Sequence, residues 1–254
     1  MLPLFLLSLY FLLTALAVGY ALAGQHPPAF VTPLSTLTGF AFALSHAVQR
    51  RGWKAALVFL AIVFIVSLTF ESIGVATGLI YGRYHYTDKL GPRFLGLVPY
   101  LIPVAWYMMM YASLVIADRL TPSAWSGVGR TLTVAAVAGL VMTAWDLVMD
   151  PMMVASRHWI WEEGGAYFGI PLQNFFGWWL TTFVSVGCYG WLMRGDTLGP
   201  SRFDWLAVVA YLITGLSSIL IFLKYNSAIS LIGMMAIFPW VIAGLFKIWE
   251  SSLD

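Results

Sequence analysis

Three carboxylic acids, Glu71, Asp146 and Asp150, lie in stretches of the chain that are otherwise apolar. Two of them share the segment WDLVMDPMMV (145–154), four positions apart and followed at once by Pro151. A charge at the centre of a bilayer costs roughly 2.5–3.5 kcal/mol on insertion scales, so each acid needs a reason to be there. On a helix the i, i+4 spacing puts Asp146 and Asp150 on one face, about 5–6 Å apart at Cβ. Two close carboxyls in a poorly solvated place do not both ionise cheaply, so the pair is expected to keep a proton near neutral pH. Pro151 biases Asp150 away from helical geometry and is expected to end the helix there. A carboxyl at a helix C-terminus faces the negative end of the dipole, which again favours the neutral acid. A buried, protonated carboxylic acid is a proton donor, and the chemistry it suits is general acid catalysis.

The elements that must position these acids are membrane helices. The 254 residues are 61% hydrophobic and 9% charged, with a mean hydropathy of +0.85, which places the chain in the bilayer. A net charge of +2 offers no basic surface for nucleic acid. The single cysteine, Cys188, excludes a disulfide or a cysteine metal site within one chain. His26, His46, His85 and His158 are too few for a histidine-rich di-iron hydroxylase. The segment GVGRTL (127–132) lacks the last glycine of a dinucleotide fingerprint. No cofactor and no metal are expected.

Apolar runs of spanning length recur at about 4–24, 53–80, 98–118, 129–150, 172–193, 204–223 and 228–249, with a shorter one at 34–49. The fold class is therefore all-α, a polytopic membrane helix bundle of about eight transmembrane helices, or seven if the short run does not span. It forms a single integral membrane domain over 1–254. The first run ends in Ala-Leu-Ala like a signal peptide but lacks a basic leader, and is expected to remain as an uncleaved helix. Pro27, Pro28, Pro33, the Arg50-Arg51-Gly52 cluster, Pro122 and Gly199-Pro200 punctuate the runs. With both termini cytoplasmic, Arg50, Arg51, Lys54, Arg119, Arg130, Arg194, Arg202 and Lys247 fall inside, against Arg83, Lys89, Arg93, Arg157 and Lys224 outside. That bias predicts N-in and C-in in the cell (cytoplasmic) membrane.

In this topology Glu71, Asp146 and Asp150 fall at similar depth in the outer half of the bilayer, and Gln173 and Asn174 begin the next helix on that side. A polar cluster facing the bundle interior is the expectation. Two long aromatic loops, 81–97 and 151–171, lie on the same face and share an echo. Tyr84 and Tyr86 follow Glu71 by 13 and 15 residues, and Trp159 and Trp161 follow Asp146 by the same steps. Spacing alone leaves open whether this is a duplication or the usual enrichment of tyrosine and tryptophan at membrane interfaces.

Plainer readings stand beside these. The acids could bond to backbone or pair with Arg83, Arg93 or Arg157 to hold helices together. His46, near the inner end of its helix, reads as structural, and Glu162 and Glu163 as solvated loop residues. The aromatics Trp145, Trp159, Trp161, Tyr167, Phe168, Trp178 and Trp179 fit an interfacial belt, or alternatively a pocket that stacks on a polyene and steadies a carbocation.

The strings FESIGVATGLIYGRYHYTDKLGPRFLGLVPYLIPVAWYMMMY (70–111) and WDLVMDPMMV…HWIWEEGGAYFGIPLQNFFGWWLT (145–181) resemble the carotenoid biosynthesis membrane proteins of the CruF type. The resemblance covers the core at about 70–181 and implies a carotenoid 1,2-hydratase, which adds water to the acyclic ψ-end of γ-carotene, lycopene derivatives or bisanhydrobacterioruberin. It transfers no residue roles, which come from the physical argument instead. Protonation at C2 gives a tertiary cation at C1 that water captures, with no redox cofactor. Asp150 or Asp146 would be the acid, with the other tuning it. Glu71 or Asn174 would position water, and Gln173 would support the network. Tyr84, Tyr86, Trp145, Trp159, Trp161, Tyr167 and Trp178 would line the substrate. The partners implied are a long-chain carotenoid arriving laterally from lipid, membrane lipids, and other carotenoid-pathway enzymes.

Two other classes compete. D-x-x-x-D on a membrane helix also suits a Mg-dependent intramembrane prenyl-transfer enzyme, but here it lacks a second Asp-rich motif and Asp204 looks isolated. A non-enzymatic carotenoid- or lipid-binding protein would need the aromatics and not the acids. A retinal-binding pump is disfavoured because Lys224 sits at a helix end.

Overall fold

The computed structural model describes residues 1–194 and 201–251. Seven helices run in chain order: α1 (Leu2–Leu22), α2 (Val31–Thr77), α3 (Leu101–Leu120), α4 (Gly127–Ala155), α5 (Leu172–Leu192), α6 (Trp205–Tyr225) and α7 (Ser227–Glu250). α2 is two helices. Gly52 has φ 76° and ψ 166°, a non-helical conformation that glycine reaches at little cost. The arms on either side fold back on each other: the rings of Phe40 and Phe64 lie 6.3 Å apart, where a straight helix would separate them by about 36 Å. Among the described residues the chain therefore makes eight helical passes, as the hydrophobic runs predict, and the start of α1 and the end of α7 lie on one face. The other face carries the two long loops. The predicted break at Gly199-Pro200 lies outside the described residues.

Six of the helices are long and apolar enough to cross a membrane. α5 has the length but carries Asn174, Thr181, Thr182 and Ser185, all buried, so its polarity faces the bundle and not lipid. Outward faces are apolar instead: Phe5, Leu12, Ile65 and Ile242 are among the exposed side chains. Where lipid replaces water this exposure costs nothing. α3 stands at the centre, buried without interruption from Trp106 to Asp118, as a helix surrounded by neighbours must be.

The loops hold structure that the helix pattern does not announce. β1 (Tyr84–Tyr86) pairs antiparallel with β4 (Trp159–Trp161), in the register Tyr84↔Trp161, His85↔Ile160 and Tyr86↔Trp159. Alternation sends His85 and Ile160 outward and all four aromatics inward. β2 (Arg93–Phe94) and β3 (Val98–Pro99) form a second two-stranded turn. The two loops thus knit into one cover over the end of the bundle.

Pro151 does not end its helix, contrary to the expectation from its ring: α4 continues to Ala155. A proline inside a helix withdraws the N–H that would bond the carbonyl four residues back. Here that carbonyl, Leu147 O, accepts the hydroxyl of Tyr167 at 2.7 Å. A loop residue replaces the lost hydrogen bond, and Asp150 stays in helical register with Asp146.

Candidate active site

Glu71 lies near the end of the second arm of α2 and is buried. The hydroxyls of Tyr84 and Tyr86 both donate to its Oε2, Tyr86 at 2.8 Å. The indole N–H of Trp106 donates to Oε1 at 2.9 Å. Three such groups are able to satisfy a carboxylate, which accepts and never donates. Burial first, and then the neighbouring Glu71, holds both tyrosine phenols well above the ordinary phenol range. They remain donors throughout the physiological range.

Asp146 and Asp150 sit one turn apart on α4, 0% and 1% exposed. One amide clamps them. Asn174 Nδ2, in the first turn of α5, donates to Asp146 Oδ2 at 2.9 Å and to Asp150 Oδ2 at 2.7 Å. The indole of Trp159 donates to Asp150 Oδ1 at 2.6 Å. Of the four oxygens of the pair, three accept an N–H, and Asp146 Oδ1 is buried with no partner. Glu71 is within electrostatic reach of both aspartates.

An aromatic wall flanks the acids. Trp178, one turn along α5 from Asn174, stacks on Trp106 with centroids 4.1 Å apart, and Trp145 meets Trp178 edge-on at 5.7 Å. Trp161 packs on Tyr84 at 4.9 Å and Trp159 on Tyr86 at 5.9 Å. Gly177 admits Tyr81 between α5 and α2: a Cβ there would lie 2.5 Å from the Tyr81 ring and 2.8 Å from Ile80 O. A cavity of about 160 Å³, lined by Val75, Ala76, Thr77, Gly78, Arg83, Tyr84 and Glu162, backs on Tyr84 from the loop face.

The structure therefore brings together Glu71, Asp146, Asp150, Asn174, Tyr84, Tyr86, Trp145, Trp159, Trp161 and Trp178. The 13- and 15-residue echo is realised as a strand pair, with a twist: the tyrosines return to Glu71, whereas Trp159 returns to Asp150 and not to Asp146. Tyr167 touches the site through the α4 backbone, and burial, then Asp146 and Asp150, pushes its phenol up to about 12. Gln173 is elsewhere: it is exposed and donates to Gly78 O and Leu79 O at 3.1 and 2.6 Å, sealing the end of α2. Arg83 and Arg93 pair with the loop acids Glu163 and Asp88, not with the intramembrane acids. Trp106 also belongs to the site, and nothing in its spacing along the chain singles it out. Asp204 is not isolated, as its sequence neighbours suggest, but lies 2.6 Å from Arg50 and 3.3 Å from Arg119. His46 holds Tyr111 OH at 2.7 Å and Phe203 O at 3.0 Å, a structural bridge far from the acids.

The sequence profile of the family described as carotenoid biosynthesis protein matches residues 30–246. The chain is 37% identical over 134 residues to a bisanhydrobacterioruberin hydratase of Haloarcula japonica, a match covering 52% of this chain and 44% of that protein. The chain thus spans less than half the length of this curated relative. No solved structure matches.

Proposed function

We propose that this chain, which belongs to the carotenoid biosynthesis protein family, is a hydratase adding water to the terminal double bond of an acyclic carotenoid end group. The observation that carries the reading is the state of the aspartate pair. Three of its oxygens are held by N–H donors and Asp146 Oδ1, fully buried, is held by none. An oxygen accepting an N–H is a poor seat for a proton, so the proton that two crowded carboxyls must share belongs on Oδ1. Asp146 is then the acid, and Asp150 and Asn174 orient it.

The reaction balances without a redox partner. The π electrons of C1=C2 take the Asp146 proton at C2, leaving a tertiary cation at C1. The faces of Trp145 and Trp178 favour that charge over neutral substrate. A water oxygen bonds to C1, and its excess proton returns to the aspartate pair. The sum is alkene plus water to tertiary alcohol. A positioned general acid contributes about 10²–10⁴-fold to such a step. Water arrives through the cavity behind Tyr84, whose volume of about 160 Å³ holds about five molecules at ~30 Å³ each. Glu71, with all its donors in place, fixes the tyrosines and Trp106 instead of giving up a proton.

The substrate class is a ψ-ended carotenoid such as lycopene, γ-carotene or bisanhydrobacterioruberin, arriving from lipid between helices. The membrane is the cytoplasmic one, with the Arg50, Arg51, Arg119 and Arg130 face inward, as the positive-inside bias supports. Expression in hosts that accumulate lycopene or γ-carotene tests the activity. The expected product is the parent pigment heavier by one water. Unchanged pigment in membranes that contain the protein would overturn the reading. Co-purified but unaltered carotenoid would favour a binding protein, and turnover that demands Mg²⁺ and a prenyl diphosphate would favour prenyl transfer.

A further inference from the structure

The opposite end of the bundle holds a second buried polar cluster, which the hydration chemistry does not use. Asp118, at the end of α3, accepts from Arg119 at 2.7 Å and from Arg130 at 2.8 Å, and Arg51 approaches it to 4.0 Å. Asp204 takes Arg50 and Arg119. Among the described residues, four guanidiniums share two carboxylates. His46, the neighbour on α2, supplies no counter-charge, and its two ring nitrogens bond to Tyr111 OH and Phe203 O.

Arg51 is the least matched member. Its side chain is only 7% exposed. It reaches Tyr189 OH at 3.3 Å and stands over that ring at 5.6 Å, yet its Nε has no hydrogen-bond partner. A guanidinium taken out of water without a full set of acceptors is costly. Arg130, 18% exposed, forms the rim of the same cluster. The depth is that of lipid headgroups: Trp53, Trp125, Trp191, Trp205 and Trp249 are all exposed around this end, as belt tryptophans are. Basic pockets between helices at such a depth take anionic headgroups, and the guanidinium fork fits two phosphate oxygens at once.

We propose that Arg51 and Arg130, gathered around Asp118, form a binding site for an anionic phosphate group, supplied by a phospholipid headgroup or by free phosphate. The site joins three elements, the Gly52 corner of α2, the end of α3 and the start of α4. A bound phosphate therefore ties the corner of the α2 hairpin to the centre of the bundle.

The test is the thermal unfolding midpoint of the purified full chain in nanodiscs. Phosphatidylcholine alone, phosphatidylcholine with phosphatidylglycerol, and phosphatidylcholine with added inorganic phosphate are compared, with chloride at equal ionic strength as control. A rise with phosphatidylglycerol alone assigns a lipid headgroup. A saturable rise with inorganic phosphate in phosphatidylcholine assigns the free ion. In either case R51Q and R130Q lose the rise. R130Q, at the rim, carries the test if R51Q does not fold. No rise above the chloride control, or the same rise in R130Q as in the parent, would overturn the proposal.

Discussion

The two polar clusters at opposite ends of this bundle are both buried, and they are built from different partners. At the loop face, Glu71, Asp146 and Asp150 are held by hydroxyl, indole and amide groups, all neutral. At the terminal face, Asp118 and Asp204 are held by arginines. An arginine fixes its carboxylate as the anion, whereas neutral donors leave a carboxyl able to take and give a proton. Only the first kind of network can run proton chemistry, and only the second braces helices by charge. The same residue type, aspartate, has been put to two uses by the choice of neighbour.

Substitutions that separate charge from chemistry sharpen this contrast. D118N leaves Arg51, Arg119 and Arg130 without their shared carboxylate. Breaking a buried ion pair costs about 3–5 kcal/mol, so its unfolding midpoint in detergent should fall steeply, with activity lost only in step with folded protein. A midpoint within error of the parent would show that the arginines are solvated. W159F removes a charge-assisted hydrogen bond from Asp150, worth about 1.5–3 kcal/mol. Here turnover per folded molecule should fall more than stability does, because the bond orients the pair. An effect on stability alone would make Trp159 a strut of the loop cover.

Smaller effects follow at the edges of the site. Y167F leaves Leu147 O without the hydroxyl that replaces the proline's missing N–H, at a cost of about 1 kcal/mol. Hydrogen exchange at the end of α4 should then quicken, and an unchanged rate would show that water serves equally well. The pH response is the smallest and the sign is defined. Tyr84 and Tyr86 are held well above the ordinary phenol range and Tyr167 at about 12. The folded chain therefore keeps protons that the unfolded chain has lost above about pH 10. Their contribution to stability should be constant below that point and decline from there to about pH 12, with the slope reduced in Y84F and Y86F. Stability rising with pH in that window would contradict the burial of these phenols.

How much of this could be read from the chain itself depended on whether a residue had a cheap alternative explanation. The three acids stood out because a carboxyl in an apolar run has none. The hairpin in α2 was legible because Arg50, Arg51 and Gly52 interrupt an otherwise spanning pattern. Asn174 and Gln173, adjacent and alike, were not separable: a helix turns about 100° per residue, and that rotation sends one to the acids and the other to the end of α2. The β1–β4 pair was half visible as an echo, but three residues are too few for alternation to declare a strand. Pro151 misled because the group that replaces its hydrogen bond is Tyr167, in a loop whose course spacing does not give. The arginine cluster stayed hidden for the opposite reason to the acids, since charges at helix ends look ordinary.

The central claim is that Asp146 gives up the proton, and the D146N variant tests it most directly. Its partner Asn174 and its volume are retained, so the membrane-extracted protein should unfold at nearly the parent temperature. Hydrated carotenoid formed per folded molecule, in a host supplying an acyclic substrate, should drop by about 10²–10⁴-fold, the range a positioned general acid supplies. Undiminished hydrated product from folded D146N would contradict the account.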